Sequence, residues 1–292
     1  MDVVIQILAS GLTIGAMYAI STVGLALVYG ALNMLNMAHG ALISLGGYVC
    51  FHVMTVLGLP ALAGIAAAMV VCGAMGLVIY VLAARPMMNR KGFETQIFIA
   101  TISIGAVMQD LIQRGFGPGA RQQPMGLTGS LMVGPVAVPW QNILILAVAV
   151  VIMTGVALML GRTRMGRAIR ATAQNRTAAQ LMGVRIGRVY AQVLAISAAL
   201  AGLSGILLSS LSGLSPTMGG DPMLKAFVIC VVAGLGQVRG TALAALALGL
   251  FEAVIQYQLG PQYSFAILLL LVVAILIWRP DGLFGTRQVV RL

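Results

Sequence analysis

Long apolar runs separated by short polar or charged links recur along the whole 292-residue chain. Read as helices, they predict spans at about 4–29, 41–58, 61–83, 95–114, 141–160, 189–211, 223–237, 241–258 and 263–278. Several reach the ~20 residues a helix needs to cross a bilayer. None alternates with the period of two that a lipid-facing barrel strand requires. The pattern predicts an all-α, polytopic transmembrane bundle of about 8–9 spans. One domain over residues 1–292 is expected, with no soluble domain appended.

Composition agrees: hydrophobic residues make up 60% of the chain and charged residues only 8%, where soluble domains are roughly a quarter charged. The net charge of +11 raises nucleic-acid binding as a possibility. The placement of the charges points to topology instead. Seven of the seventeen basic residues fall in one loop at about 161–188, namely Arg162, Arg164, Arg167, Arg170, Arg176, Arg185 and Arg188. No acidic residue occurs between Asp110 and Asp221. Arg85, Arg90 and Lys91 mark a second loop, and Arg279, Arg287 and Arg291 mark the C-terminal tail. The positive-inside rule assigns all three to the cytoplasm. Nine spans then place the N-terminus outside and the C-terminus inside. Met1-Asp2-Val3-Val4 carries no positive n-region, so the first run is expected to be a retained span.

The connection from Gly115 to Trp140 is rich in Gly and Pro, Pro135 among them, and is expected to be compact, irregular and extracytoplasmic. Gly11 and Gly15 have the spacing that lets helix backbones approach closely in lipid; Gly236 and Gly240 share it but fit a turn.

The chemistry of catalysis is missing. No G-x-x-x-x-G-K-[ST] loop is present, since the two lysines, Lys91 and Lys225, do not follow glycine. Cys50, Cys72 and Cys230 lie in apolar segments without paired spacing. His39 and His52 have no nearby ligand partner, so no metal site is expected. No G-x-S-x-G nucleophile motif occurs. Asn175-Arg176-Thr177 matches a glycosylation acceptor, but in a loop assigned to the cytoplasm. Among ionisable groups inside apolar runs, Asp110 can pair with Arg114 at i,i+4 spacing. Glu252 is the deepest, and reads either as a structural pair or as part of a transport path.

The centre of the arginine loop contains Thr177-Ala178-Ala179-x-x-x-Gly183. This resembles the E-A-A-x-x-x-G signature of ABC importer permeases, with Thr in place of Glu and without the I-x-L-P that follows it. In those proteins it forms a coupling helix that docks in a groove of the cytoplasmic ATPase. Further segments, in order, resemble LivH-type permeases of branched-chain amino acid ABC transporters. They are Gly11–Ala19, Gly24–Gly30, Asn33–Gly40, Leu224–Phe227, Gly234–Gly240 and Arg279–Gly285. The resemblance covers essentially the whole chain.

It implies a bacterial inner-membrane permease subunit, itself not an enzyme, that moves branched-chain (hydrophobic) amino acids. The implied partners are a second related permease chain in a heterodimer, two ATPase subunits and an extracytoplasmic binding protein, besides membrane lipid; nucleic acid is not expected. ATP and Mg would be bound by the ATPase subunits, leaving no cofactor in this chain. The implied coupling residues are Asn175, Arg176, Thr177, Ala178, Ala179, Leu181, Met182 and Gly183. Small Ala178 and Ala179 would permit close approach, and arginines could meet acidic groups on the partner. For the path, the candidates are Asn33, Asn36, His39 and Glu252. The segment Tyr29–Gly40 reads equally as a broken helix lining a cavity or as a cytoplasmic turn capped by asparagines. Importers of urea, short amides or other amino acids are the same-class alternative. An ion-coupled secondary carrier is the different-class one, disfavoured by the scarcity of buried acids and of any clear internal repeat.

Overall fold

The computed structural model describes residues 2–88, 90, 92–125, 129–133 and 136–285. Lys91, Arg287, Arg291 and Pro135 lie outside the described residues. The helices are α1 (Asp2–Leu32), α2 (His39–Thr55), α3 (Ala61–Ile79), α4 (Arg85–Met87), α5 (Phe93–Phe116), α6 (Trp140–Arg162), α7 (Arg164–Gln174), α8 (Arg176–Leu181), α9 (Ile186–Ser212), α10 (Gly220–Ala233), α11 (Val238–Gln258) and α12 (Pro261–Trp278). A π-helical turn, Tyr80–Ala84, joins α3 to α4. Pro86 explains it: the proline ring has no N–H to donate and crowds the carbonyl four residues back, so the helix widens there and continues. The strands β1 (Ser130–Val133) and β2 (Val136–Pro139) form a small antiparallel hairpin, with Ser130 opposite Pro139.

Among the described residues, seven helical stretches are long and apolar enough to cross a membrane: α1, α3 through α4, α5, α6, α9, α11 and α12. The other two predicted spans are the shorter helices α2, 17 residues, and α10, 14 residues. At 1.5 Å per residue α10 is only about 21 Å long, short of the ~30 Å hydrocarbon core. The expected nine spanning helices are therefore seven, and α2 and α10 need a different account.

Both begin inside the bundle. The His39 ring, at the start of α2, lies 3.1 Å from the Ser21 carbonyl and 3.3 Å from its hydroxyl. Ser21 precedes the end of α1 at Leu32 by eleven residues, about 16 Å of helix. Residues 33–38 therefore turn back and climb beside α1 before α2 starts. The start of α10 reaches the same depth. The Gly219 N–H donates to the Ser44 hydroxyl at 3.1 Å, and a Cβ on Gly219 would stand 1.9 Å from the Gly40 carbonyl oxygen. No side chain fits there, so glycine at 219 permits two helix starts to meet back to back.

The core is built around α9, the most deeply buried of the spanning helices, while α6 and α12 turn most of their surface outward. Outward apolar surface is what lipid accepts, since lipid gives no drive to bury it. A close glycine seam joins α1 to α11: a Cβ on Gly249 would meet the Gly15 nitrogen at 2.3 Å and the Gly11 oxygen at 2.8 Å. The Gly11/Gly15 spacing is thus a contact face, and Gly236, with φ +84°, belongs to the turn before α11.

Candidate functional site

The arginine loop folds into two helices broken at Asn175. Its side-chain oxygen accepts from the Ala178 N–H at 2.9 Å and caps α8. This satisfies one of the amides that a helix start leaves without a partner. Thr163 caps α7 in the same way, from the Gly166 N–H at 3.0 Å. At the far end, Gly183 adopts φ +85°. Its N–H reaches the Gln180 carbonyl and the Val184 N–H reaches the Ala179 carbonyl, both at 3.0 Å. This paired closure requires the left-handed conformation that glycine adopts without strain.

The two faces of α8 differ. Ala179 is buried against the bundle. The Arg176 guanidinium donates to the Met88 carbonyl at 3.0 Å and lies over the Tyr190 ring, 5.7 Å from its centroid. Both residues fix α8 to the membrane domain, which corrects the expectation that Ala179 and the arginine of this helix face outward. Asn175, Thr177, Ala178 and Gly183 are exposed. Leu181 and Met182 are 83% and 85% exposed, an apolar pair at the tip of a basic hairpin. The outer side of α7 carries the exposed Arg164, Arg167 and Arg170, while Gly166, Ile169 and Thr172 face inward.

The structure does not gather the four path candidates into one place. Asn33 ends α1 in a left-handed conformation, φ 52°, and its amide donates to Glu94. It lines a cavity of about 980 Å³ beside Asn175, Arg176 and Asp281, so the loop and the C-terminal segment share one side of the bundle. Asn36 is buried and its side chain accepts from the Ala38 N–H at 3.2 Å, locking the re-entrant turn. His39 is fully buried against α1. For Tyr29–Gly40 the geometry is that of a chain folded back into the bundle, with Asn36 and His39 as its anchors.

Glu252 is buried in a polar knot. Its carboxylate accepts from Lys225 at 2.6 Å, Tyr18 at 2.8 Å, and Ser264 and Gln256 at 3.1 Å each. The knot joins α1, α10, α11 and α12. A buried carboxylate is tolerated only when paired and hydrogen-bonded, and this one is both. The Asp110–Arg114 pair forms at 2.7 Å but is exposed, so it contributes little.

One feature carried no sequence motif. A recess of about 300 Å³ opens where α2 and α10 start, lined by Gly40, Ser44, Gln109, Thr217 and Gly220. Beside it, α5 turns Ser103, Asp110 and Gln113 outward. Seven-residue spacing from Ser103 to Asp110 and from Ala106 to Gln113 was the signal that could have marked this face.

Comparison with known proteins decides what this frame is. The family model described as "Branched-chain amino acid transport system / permease component" matches residues 7–277. The chain belongs to this family. The Pseudomonas aeruginosa permease BraD, named for high-affinity branched-chain amino acid transport, is 32% identical over 98% of this chain and 97% of its own length. Escherichia coli K12 LivH, of the same description, is 29% identical over 98% and 96%. A probable LivH from Methanocaldococcus jannaschii is 27% identical over 96% and 92%. Family membership and the seven apolar helices make the chain a multi-pass membrane permease component, a transport subunit.

Proposed function

We propose that the chain is the membrane-spanning subunit of an ABC importer for branched-chain, hydrophobic amino acids in a bacterial inner membrane. The observation that carries this reading is the family match over residues 7–277 joined to a well-built hairpin in the arginine loop. Its six-residue helix is capped at Asn175, closed at Gly183 and fixed inward by Arg176 and Ala179. Leu181 and Met182 are left exposed at its tip. An exposed apolar pair in a basic loop suits a groove with an apolar floor and acidic walls on an ATPase. The loop then faces the cytoplasm with the C-terminal end, and the N-terminus lies outside. ATP and Mg stay on two separate ATPase subunits, and a binding protein supplies substrate from outside.

The second permease chain, a related partner in a heterodimer, packs on the outward face of α5. Polar Ser103, Asp110 and Gln113 are costly against lipid but suit a wet path between two chains. The recess at the starts of α2 and α10 opens onto this face, and its volume suits an amino acid. The test is ATP hydrolysis by the reconstituted complex, with its binding protein loaded in turn with leucine and with urea. Stimulation by leucine alone supports the reading; stimulation by urea alone assigns the same machinery to the other substrate class.

A further inference from the structure

A second cavity, of about 1080 Å³, lies apart from the coupling tip and from the recess on α5. Its floor is α1, at Val23 and Leu27; its walls are α6, at Met153 and Ala157, and α11, at Ala242 and Leu243. Both walls pack on α1 without packing closely on each other. Leu158 and Leu243, at the edges of the walls, are 46% and 59% exposed. The groove is closed at one end by Arg162, Arg170 and Arg239, all exposed. No aspartate or glutamate lines it. Among the described residues, no carboxylate pairs with any of the three arginines; Arg170 donates to the Leu160 carbonyl.

We propose that this groove holds an anionic phospholipid, its phosphate among Arg162, Arg170 and Arg239 and an acyl chain along the α1 floor. Charge complementarity names the head: three arginines line one cavity whose lining holds no carboxylate, and guanidinium pairs with phosphate oxygens in bidentate fashion. Length names the tail. From Arg162 to Met153 the wall runs nine residues, about 14 Å of helix, close to the ~15 Å that one leaflet contributes to a ~30 Å core. Basic pockets between membrane helices on the cytoplasmic side are where anionic headgroups bind. The groove also touches Ala173 and Gln174, the last residues of α7 before the Asn175 break. A lipid held there supports the base of the coupling hairpin.

The test is native mass spectrometry of the chain with its co-purifying subunits, extracted in mild detergent and equilibrated with phosphatidylglycerol or phosphatidylcholine. The wild type should retain one phosphatidylglycerol per chain and at least tenfold less phosphatidylcholine. The Arg162→Gln/Arg239→Gln variant should lose that preference while eluting as the wild type does. Arg162 and Arg239 sit on exposed surface, so the fold should tolerate their replacement. Equal retention of the two lipids by the wild type, or an unchanged preference in the variant, overturns the proposal. So does near-complete disulfide cross-linking of Leu243→Cys to another protein chain in intact membranes, which would make the groove a protein interface.

Discussion

Leu181 and Met182 offer the sharpest perturbation of the proposed coupling site, because they are 83% and 85% exposed while the helix behind them is fixed inward. Replacing both with alanine removes apolar surface only, and alanine is the strongest helix former, so α8 itself should be unharmed. Fully burying a Leu or Met side chain contributes about 1.5–3 kcal/mol. A docking groove that covers about half of each therefore gains about 1 kcal/mol per side chain, or about 2 kcal/mol for the pair. At about 1.4 kcal/mol per decade that is roughly thirtyfold in affinity. Titration of purified ATPase subunit onto the permease in nanodiscs should show the Leu181→Ala/Met182→Ala variant binding about thirtyfold more weakly. Insertion and elution should match the wild type. Binding within a factor of two of the wild type would refute the claim that this tip is the docking surface.

Three further outcomes follow from the geometry. Gly183 has φ +85°, and nothing lies within 4 Å of where a Cβ would stand, so Gly183→Arg fits in space but strains the backbone and sets a charge on the docking face. It should abolish substrate-stimulated ATP hydrolysis and leave membrane insertion intact, and unchanged hydrolysis would count against the coupling role. Lys225→Met should cost about 3–5 kcal/mol by stranding the buried Glu252 carboxylate, with most of it recovered in Lys225→Met/Glu252→Gln; melting of both variants in detergent checks this, and a wild-type melting temperature for the single variant would show that the pair is not structural. Gly249→Val drives a branched side chain into the α1 backbone 2.3 Å away, whereas Gly155 has open space around it, so folded yield should fall for the first substitution and hold for Gly155→Val, and equal yields would refute the seam.

The bundle was legible because a bilayer imposes long apolar runs, and each of the nine predicted runs coincides with a helix. What hydropathy cannot separate is a spanning helix from a half-length one that is buried by its neighbours. The runs at 41–58 and 223–237 are apolar because α2 and α10 sit against α9, α1 and each other, and their short lengths emerge only from where 33–38 and 213–219 fold back. The short helix α8, proposed for coupling, falls where the motif lies, but its facing could not be read from the sequence. Six residues make under two turns, too few for a period to show which side is inward; the structure turns Ala179 and Arg176 toward the bundle. Glu252 was found by its rarity, yet Lys225 stands 27 residues away on another helix, and such pairing is set by packing.

On the proposed function, this chain moves amino acids only when separate ATPases drive it. Uptake of labelled leucine should be followed in liposomes holding this chain, its permease partner, the ATPase subunits and the binding protein. Leucine should accumulate with ATP on the ATPase side, and not with a non-hydrolysable analogue or with this chain alone. Accumulation by this chain alone under an ion gradient, without ATP, would contradict it.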